Sequence, residues 1–407
     1  MPMRVLVGID DTDSSSGSCT TYLAYRIARD LRPVLRVVAY PRLVRLNPNV
    51  PFKTRGNAAV CLPIDTEAPE EAFERITSLV SALSDVDHGA NSGVVFLEDL
   101  ALVVELKDLY QRAVTGLVNR HRVEKLLREH RVRTFTLGNG MGIVGAASSL
   151  PFCEEADHTY ELIAYRRQEN RGLKRFVEPR SVEEMDRETF PHTFNNFDYQ
   201  KKKVLVAPHG PDPVFVGIRG DSPAAVVSAF ARLRYKERLE GYMVYLSNQY
   251  TDAHLTKALD WKVYSSGWVE GTVQLVSVGP GGHLFIAVAE GSEKRICAVY
   301  EPTGDLRRAM KLLGPGDTIR AYGGVRRGTT SHPKVLNAEK VAVISTAVRL
   351  PRSRLVTGTY VASPRANRHL TKPLIRFGRE TAGKESPLIR DWFSAAPTTM
   401  PVPARNR

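Results

Sequence analysis

The apolar positions of this chain change their period along its length, and the changes divide it into parts. Val5, Leu6, Val7 and Ile9 make a short run that reads as a buried strand. After Cys19, Leu23, Ile27 and Leu31 recur every fourth position, the spacing of one helix face. Residues 34–40, 41–46 and 58–64 read as strands. Phe73, Ile76, Val80 and Leu83, spaced by three and four, predict an amphipathic helix. The run 94–106 reads as a strand and 109–130 as helical. Alternation of this kind predicts an α/β or α+β domain, assigned to residues 1–157.

Beyond it, 159–165, 204–207, 214–218 and 242–246 read as strands, and 166–198 as polar and irregular. A helix is predicted over 222–234, with Val226, Phe230 and Leu233 on its apolar face and Ser222 as cap. Strand, strand, helix, strand fits part of a ferredoxin-like sandwich over 158–265. From Gly267 glycine-rich turns separate strand patterns at 268–276, 284–288, 295–300, 318–325 and 334–344, with a helix at 305–313. Three strands, a helix and two strands is the order of an OB barrel, a single-strand nucleic-acid module, although other small barrels share the count. It is assigned to 266–345, leaving 346–407 as a linker and tail. The fold class expected is therefore multidomain α+β.

Composition narrows the setting. No apolar run is long enough to span a membrane, and the N-terminus enters a strand without a signal-peptide pattern, so a cytoplasmic protein is expected. Cys19, Cys61, Cys153 and Cys297 form no C-x-x-C pair, so neither a zinc ribbon nor a disulfide framework is expected. The net charge is +13, and residues 346–407 hold 12 Lys or Arg against 3 Asp or Glu. That bias suits a polyanion, with a solvated basic tail as the plain alternative. Within it Arg365, Arg368, His369, Lys372 and Arg376 are the candidate RNA contacts, interleaved with Tyr360 and Phe377.

The chemistry concentrates near the start. Asp10, Asp11 and Asp13 follow the first strand directly, and a loop of small residues, 14–18, leads to a helix beginning near Thr20. Carboxylates hold a hard cation such as Mg²⁺, and a helix N-terminus offers N–H groups to phosphate. The plain reading makes Asp11 and Asp13 turn formers and Ser18 or Thr20 a cap. Ser14, Ser18 and Thr21 add hydroxyls, and Lys53, Arg55 and Asn57 lie in a turn-rich loop suited to phosphate. Gly140, Gly142 and Gly145 satisfy G-x-G-x-x-G, but Pro151 cuts the following helix short. Three readings stay open there: a dinucleotide site, a wall approached by a nucleotide, and close packing of elements. No P-loop, nucleophile elbow or H-E-x-x-H pair occurs, and what remains suits phosphoryl transfer.

Residues 8–14 and 19–22, then 41–48, 53–57, 161–166, 217–220 and 368–376, together resemble the archaeal isoleucine-tRNA 2-agmatinylcytidine synthetase family, in the same order along the chain. The resemblance implies an ATP-dependent ligase joining agmatine to C2 of the wobble cytidine of a minor isoleucine tRNA with a CAU anticodon, releasing AMP and phosphate. The altered base would then read AUA as isoleucine. It also implies a kinase-like, a ferredoxin-like and an OB domain, with Asp10, Asp11 and Asp13 as metal ligands and Thr20 as a self-phosphorylated residue. The family's zinc ribbon has no counterpart in 347–355. For the guanidinium of agmatine, Asp198 and Asp221 are the candidates, beside Phe197 and Gly220. Two other readings remain: an RNA-binding protein with a degenerate kinase domain, and a kinase for another RNA or amine.

Overall fold

A computed structural model describes residues 2–53, 56–199, 202–328, 333–347 and 358–361. Its first strand, β1 (Met3–Asp10), is buried and apolar from Val5 to Ile9 because helices cover both of its faces. Val5, Val7 and Ile9 point into one core with Leu23 and Ile27 of α1 (Thr20–Asp30) and Ile76 and Val80 of α2 (Pro69–Leu83). Leu6 points into the other with Leu106, Val123, Ile143 and Ala146. Each such buried aliphatic side chain contributes roughly 1.5–3 kcal/mol relative to exposure.

β1 pairs antiparallel with β3 (Ala58–Thr66) on one side and β4 (Gly93–Leu97) on the other. β2 (Arg42–Arg45) lies beyond β3, and β5 (Arg133–Thr136) beyond β4. The sheet then continues: β8 (Leu239–Ser247) pairs parallel with β2, β6 (Thr159–Arg166) with β8, and β7 (Val214–Gly220) with β6. With the two-residue strands Arg36–Val37 and Thr193–Phe194 it has ten strands. The parallel junction is sealed by side chains, Ser247 Oγ donating to the Leu43 carbonyl at 2.8 Å and Asn248 Nδ2 to that of Arg45 at 2.9 Å.

Several elements depart from the sequence reading for local reasons. The run 94–106 is not one strand: β4 stops at Leu97, and Asp99 accepts from the Ala101 N–H at 3.0 Å to start the turn into α3 (Val103–Thr115). The helical region 109–130 breaks after Gly116, and Asn119 caps α4 (Arg120–Glu129), accepting from the Arg122 N–H. The stretch 166–198 contains a helix, α6 (Pro179–Thr189), which follows the short α5 (Gly142–Ser149). α6 buries only a few apolar side chains, Val182 and Met185 among them, which is why its pattern is faint. Residues 34–40 keep only the strand Arg36–Val37, and 204–207 only Lys203–Val204, paired with Phe197–Asp198 off the main sheet. α7 (Pro223–Ala231) starts at the Ser222 cap, whose hydroxyl accepts from the Ala225 N–H.

The second body is a barrel of β9 (Ser266–Val278), β10 (Leu284–Glu290), β11 (Glu293–Val299), β12 (Thr318–Arg326) and β13 (Val335–Ser345). Parallel pairing of Cys297 with Leu336 and Ala298 with Asn337 closes it, and α8 (Asp305–Met310) plugs its core with Leu306 and Met310. A further strand, β14 (Gly358–Val361), extends β13 from within the segment assigned to the tail. The barrel is clasped to the sheet by the loop after β2. Asn47 Nδ2 donates to the Tyr264 carbonyl and Asn49 Nδ2 to Ser266 Oγ, both at 2.7 Å. Ser266 Oγ in turn donates to Asn47 Oδ1 at 2.9 Å. Among the described residues no helix is long and apolar enough to cross a membrane.

Candidate active site

The acidic cluster forms where β1 runs out of sheet. Asp10 is its last residue, and its Oδ1 accepts from the Asp11 N–H at 2.7 Å. Asp11 takes a left-handed φ of 54°, which turns the chain sharply toward the hydroxyl loop. Burial pushes the Asp10 carboxyl well above the usual carboxylate range, with Asp11 and then Asp13 adding repulsion and the Asp11 N–H opposing it.

Gly145 makes room for this carboxylate: a Cβ there would lie 1.8 Å from Asp10 Oδ2. The same helix, α5, meets the sheet backbone to backbone, since a Cβ on Gly93 would lie 2.1 Å from the Ile143 nitrogen. One on Gly142 would lie 2.6 Å from the Asp10 carbonyl oxygen. Of the three readings of the glycine motif, close packing therefore describes Gly142, and Gly140 is buried against Thr136 at φ +71°. Neither lines a described cavity; their neighbours Met141, Val144 and Gly145 do.

Asp13 takes over the start of α1. Its Oδ1 accepts from the Thr20 N–H at 2.8 Å and from the Thr20 hydroxyl at 3.3 Å. The Thr20 oxygen also accepts from the Thr12 hydroxyl at 3.0 Å, and Thr20 is only 4 % exposed. A hydroxyl fixed between a donor and a carboxylate is arranged as a nucleophile beside a base. Two buried phenols brace the next residue: Tyr245 and Tyr165 contribute hydroxyls 2.7 and 2.9 Å from the Thr21 carbonyl oxygen. They come from β8 and β6, so the far half of the sheet holds the first turn of α1 in place. Ser14 and Ser18 shape the loop, the Ser18 N–H donating to Ser14 Oγ and the Ser18 hydroxyl to the Leu83 carbonyl at 3.1 Å. Neither lines the two cavities described next.

Those cavities meet at Asp13 and Thr20. The smaller, about 380 Å³, is lined by Asp10, Asp11 and Asp13 at one end and by Val50, Phe52, Leu117, Val118, Met141 and Val144 elsewhere. The larger, about 870 Å³, lies between β2 and the far half of the sheet, and Thr21 lines it. Lys53 and Asn57 line both. Lys53 donates to the Pro48 carbonyl, and burial, then Arg326, lower its affinity for a proton. Asn57 Nδ2 donates to the Asn47 carbonyl at 2.8 Å, tying this wall to the barrel clasp.

Asp198 and Asp221 line neither cavity. Asp198 sits on the small ribbon opposite Lys203, and Asp221 is exposed at the end of β7. The larger cavity has other carboxylates, chiefly Glu161 and Asp212, with Arg45, Arg219 and Tyr250. Glu161 is 2 % exposed and bridges Arg219 at 2.9 Å and Arg45 at 3.4 Å. Arg219 and Glu161 are cross-strand partners on β7 and β6, the two segments 217–220 and 161–166. Their presence among the motif segments was the available signal. Arg55, Arg365, Arg368, His369, Lys372 and Arg376 lie outside the described residues.

Among the described residues no three His, Cys, Asp or Glu side chains converge as a ready metal cage. The acidic corner still suits a hard cation of another kind. Mg²⁺ usually takes one or two carboxylates and completes its shell with phosphate and water. A buried, mutually repelling carboxylate such as Asp10 is relieved by such an ion.

A cavity that reaches three carboxylates and the first turn of α1, beside a second cavity with charged walls and a barrel, suits a nucleotide-dependent enzyme. Two family models match the chain, described as the TiaS TCKD domain over residues 6–139 and the TiaS FLD domain over 140–254. The isoleucine-tRNA 2-agmatinylcytidine synthetase TiaS of Cenarchaeum symbiosum is 43% identical over 83% of this chain and 76% of its own length. A crystal structure of TiaS in complex with its isoleucine tRNA and ATP superposes with a TM-score of 0.85 at 31% identity, covering 93% of this chain and 99% of that one. A complex of TiaS with the same tRNA, AMPCPP and agmatine gives 0.84 at 31% identity, covering 93% and 98%. The chain belongs to the TiaS family.

Proposed function

We propose that the two cavities are the two halves of one ligase site. The protein is an ATP-dependent tRNA-modifying ligase that joins agmatine to C2 of the wobble cytidine of the minor isoleucine tRNA. The observation that carries the assignment of parts is the shared wall, Asp13 and Thr20, between a cavity with Phe52, Leu117, Val118 and Val144 in its lining and one with Arg45, Glu161, Asp212 and Arg219. In this reading the base of ATP lies against Phe52, Leu117, Val118 and Val144, and its phosphates reach Asp10, Asp11 and Asp13. Mg²⁺, held by one or two of these carboxylates, would neutralise phosphate charge there. Asp13 holds the Thr20 hydroxyl toward the phosphate end, and Thr20 takes the γ-phosphoryl group of ATP, its proton passing to Asp13 and ADP departing as the leaving group.

The larger cavity takes the cytidine and agmatine. The C2 oxygen of cytosine is a poor leaving group until phosphorylated; in this reading it takes the remaining terminal phosphoryl group from ADP, and AMP leaves. The primary amine of agmatine then attacks C2, the C2–O bond breaks, and the oxygen departs on phosphate. Asp212 offers a carboxylate for the guanidinium end and Tyr250 an aromatic wall, in place of Asp198 and Asp221. The kinase-like, ferredoxin-like and OB labels remain part of this reading, with boundaries at 157/158, 265/266 and 345/346. So does delivery of tRNA by the basic segment 346–407 in place of a zinc ribbon.

The division is tested by a crossed pair of variants. Val144→Trp is expected to raise KM for ATP at least about tenfold and leave that for agmatine unchanged. Asp212→Asn is expected to do the reverse, by about 1.5–3 kcal/mol for a charge-assisted pair. Steady-state kinetics with the tRNA saturating reads both; equal effects on the two substrates would reject the two-chamber arrangement.

A further inference from the structure

A third cavity, about 730 Å³, opens beside the larger chamber and is used by nothing described so far. Lys174, Arg175, Lys202, Lys203 and His209 line it, and no carboxylate does among the described residues. Asp198, across the small ribbon from Lys203, is not part of its lining. Lys174, Lys202, Lys203 and His209 are exposed, while the Arg175 side chain is 7 % exposed and works as a strut. Its guanidinium donates to the carbonyls of Gly210 and Val214 at 2.7 Å, Asp212 at 2.6 Å and Pro208 at 3.1 Å. Four bonds to one loop fix that loop as a wall. Pro208, His209, Gly210 and Pro211 face the groove, while Pro208 and Asp212 also line the chamber.

The groove is thus a cationic track separated from the reaction chamber by a single rigid loop. Leu173 and Phe176 beside it are 60 % and 53 % exposed, and Lys236 Nζ lies 6.0 Å from the Phe176 ring centroid. Clustered cations with an exposed aromatic ring are the features that hold a single-stranded nucleic acid: phosphates on the charges, a base against the ring.

We propose that this groove binds the RNA backbone next to the nucleotide whose base enters the larger chamber. The inference rests on the function proposed above for that chamber. It assigns Lys174, Lys202 and Lys203 to phosphates and Phe176 to a neighbouring base. Its energy is mostly counterion release, so it acts on affinity and salt dependence.

The test uses the full chain carrying Lys174→Glu, Lys202→Glu and Lys203→Glu, with a fluorescent anticodon stem-loop of the tRNA as probe. Anisotropy titrations across a salt series are expected to show affinity lowered at least about tenfold, and the slope of log Kobs against log salt reduced by about 2–3. Self-labelling by ATP without RNA is expected to be unchanged. Binding is read apart from turnover, so a wild type that binds RNA but forms no product would fail the ligase reading and leave the groove standing. Lysine acetylation footprinting of the wild type gives a second reading free of folding effects, with Lys174, Lys202 and Lys203 protected by RNA. An unchanged salt slope, absence of protection, or lysine-dependent binding to phosphatidylserine vesicles in place of RNA would each overturn the proposal.

Discussion

Replacing Thr20 with Ala is expected to abolish self-labelling by γ-labelled ATP and to lower product formation at least about a hundredfold, in the range of a lost nucleophile or base. The reason is local. Thr20 Oγ1 receives the Thr12 hydroxyl at 3.0 Å and reaches Asp13 at 3.3 Å. Thr20→Ser keeps that oxygen and is expected to retain labelling. Asp13→Asn keeps an acceptor for the Thr20 N–H, 2.8 Å away, but loses the charge that takes the proton. It is expected to label slowly, by a factor of about 10²–10⁴. Autoradiography of the three variants separates these outcomes, and labelling retained in Thr20→Ala would move the acceptor to another hydroxyl.

The second large effect is expected from a methyl group. Gly145→Ala places a Cβ 1.8 Å from Asp10 Oδ2, a distance no side chain tolerates. Asp10 has little freedom to yield, because its other oxygen is bonded to the Asp11 N–H and its surroundings are buried. The carboxylate must rotate out of the corner, and a displacement of about 1 Å in a positioning group costs about a hundredfold in rate. Thermal unfolding is expected to shift by an overpacking cost of about 1–3 kcal/mol, leaving a folded protein with little activity. A Gly145→Ala protein with ordinary turnover would show that Asp10 is not needed in its present position.

What was legible in the sequence follows from how far each feature reaches along the chain. Asp10, Asp11, Asp13 and Thr20 lie within eleven positions of one strand–turn–helix, so their meeting is a local consequence of β1 ending and α1 beginning. The barrel was legible because its first three strands follow one another as hairpins with glycine-marked turns, such as that at Gly281, φ +70°. The chamber beside Thr20 was not, because β2 is joined there by β6, β7 and the segment after β8, residues 248–254. Those strands reach it only through the parallel pairing of Leu246 with Arg42. Periodicity does not report which distant edge a strand joins. Asp198 and Asp221 were attractive for their sequence neighbours, Phe197 and Gly220, and both lie on other surfaces. α6 was missed because a helix carrying Glu183, Glu184, Asp186, Arg187 and Glu188 around a narrow apolar stripe looks like a loop by composition.

The central claim is that this site consumes ATP to join agmatine to one cytidine. The most direct measurement is mass spectrometry of the anticodon fragment after incubating the protein with ATP, Mg²⁺, agmatine and a transcript of the minor isoleucine tRNA. The expected result is a wobble cytidine heavier by agmatine less one water, formed with stoichiometric AMP and absent when ATP or agmatine is omitted. An unmodified cytidine with ATP turned over, or a cytidine modified without ATP, would contradict it.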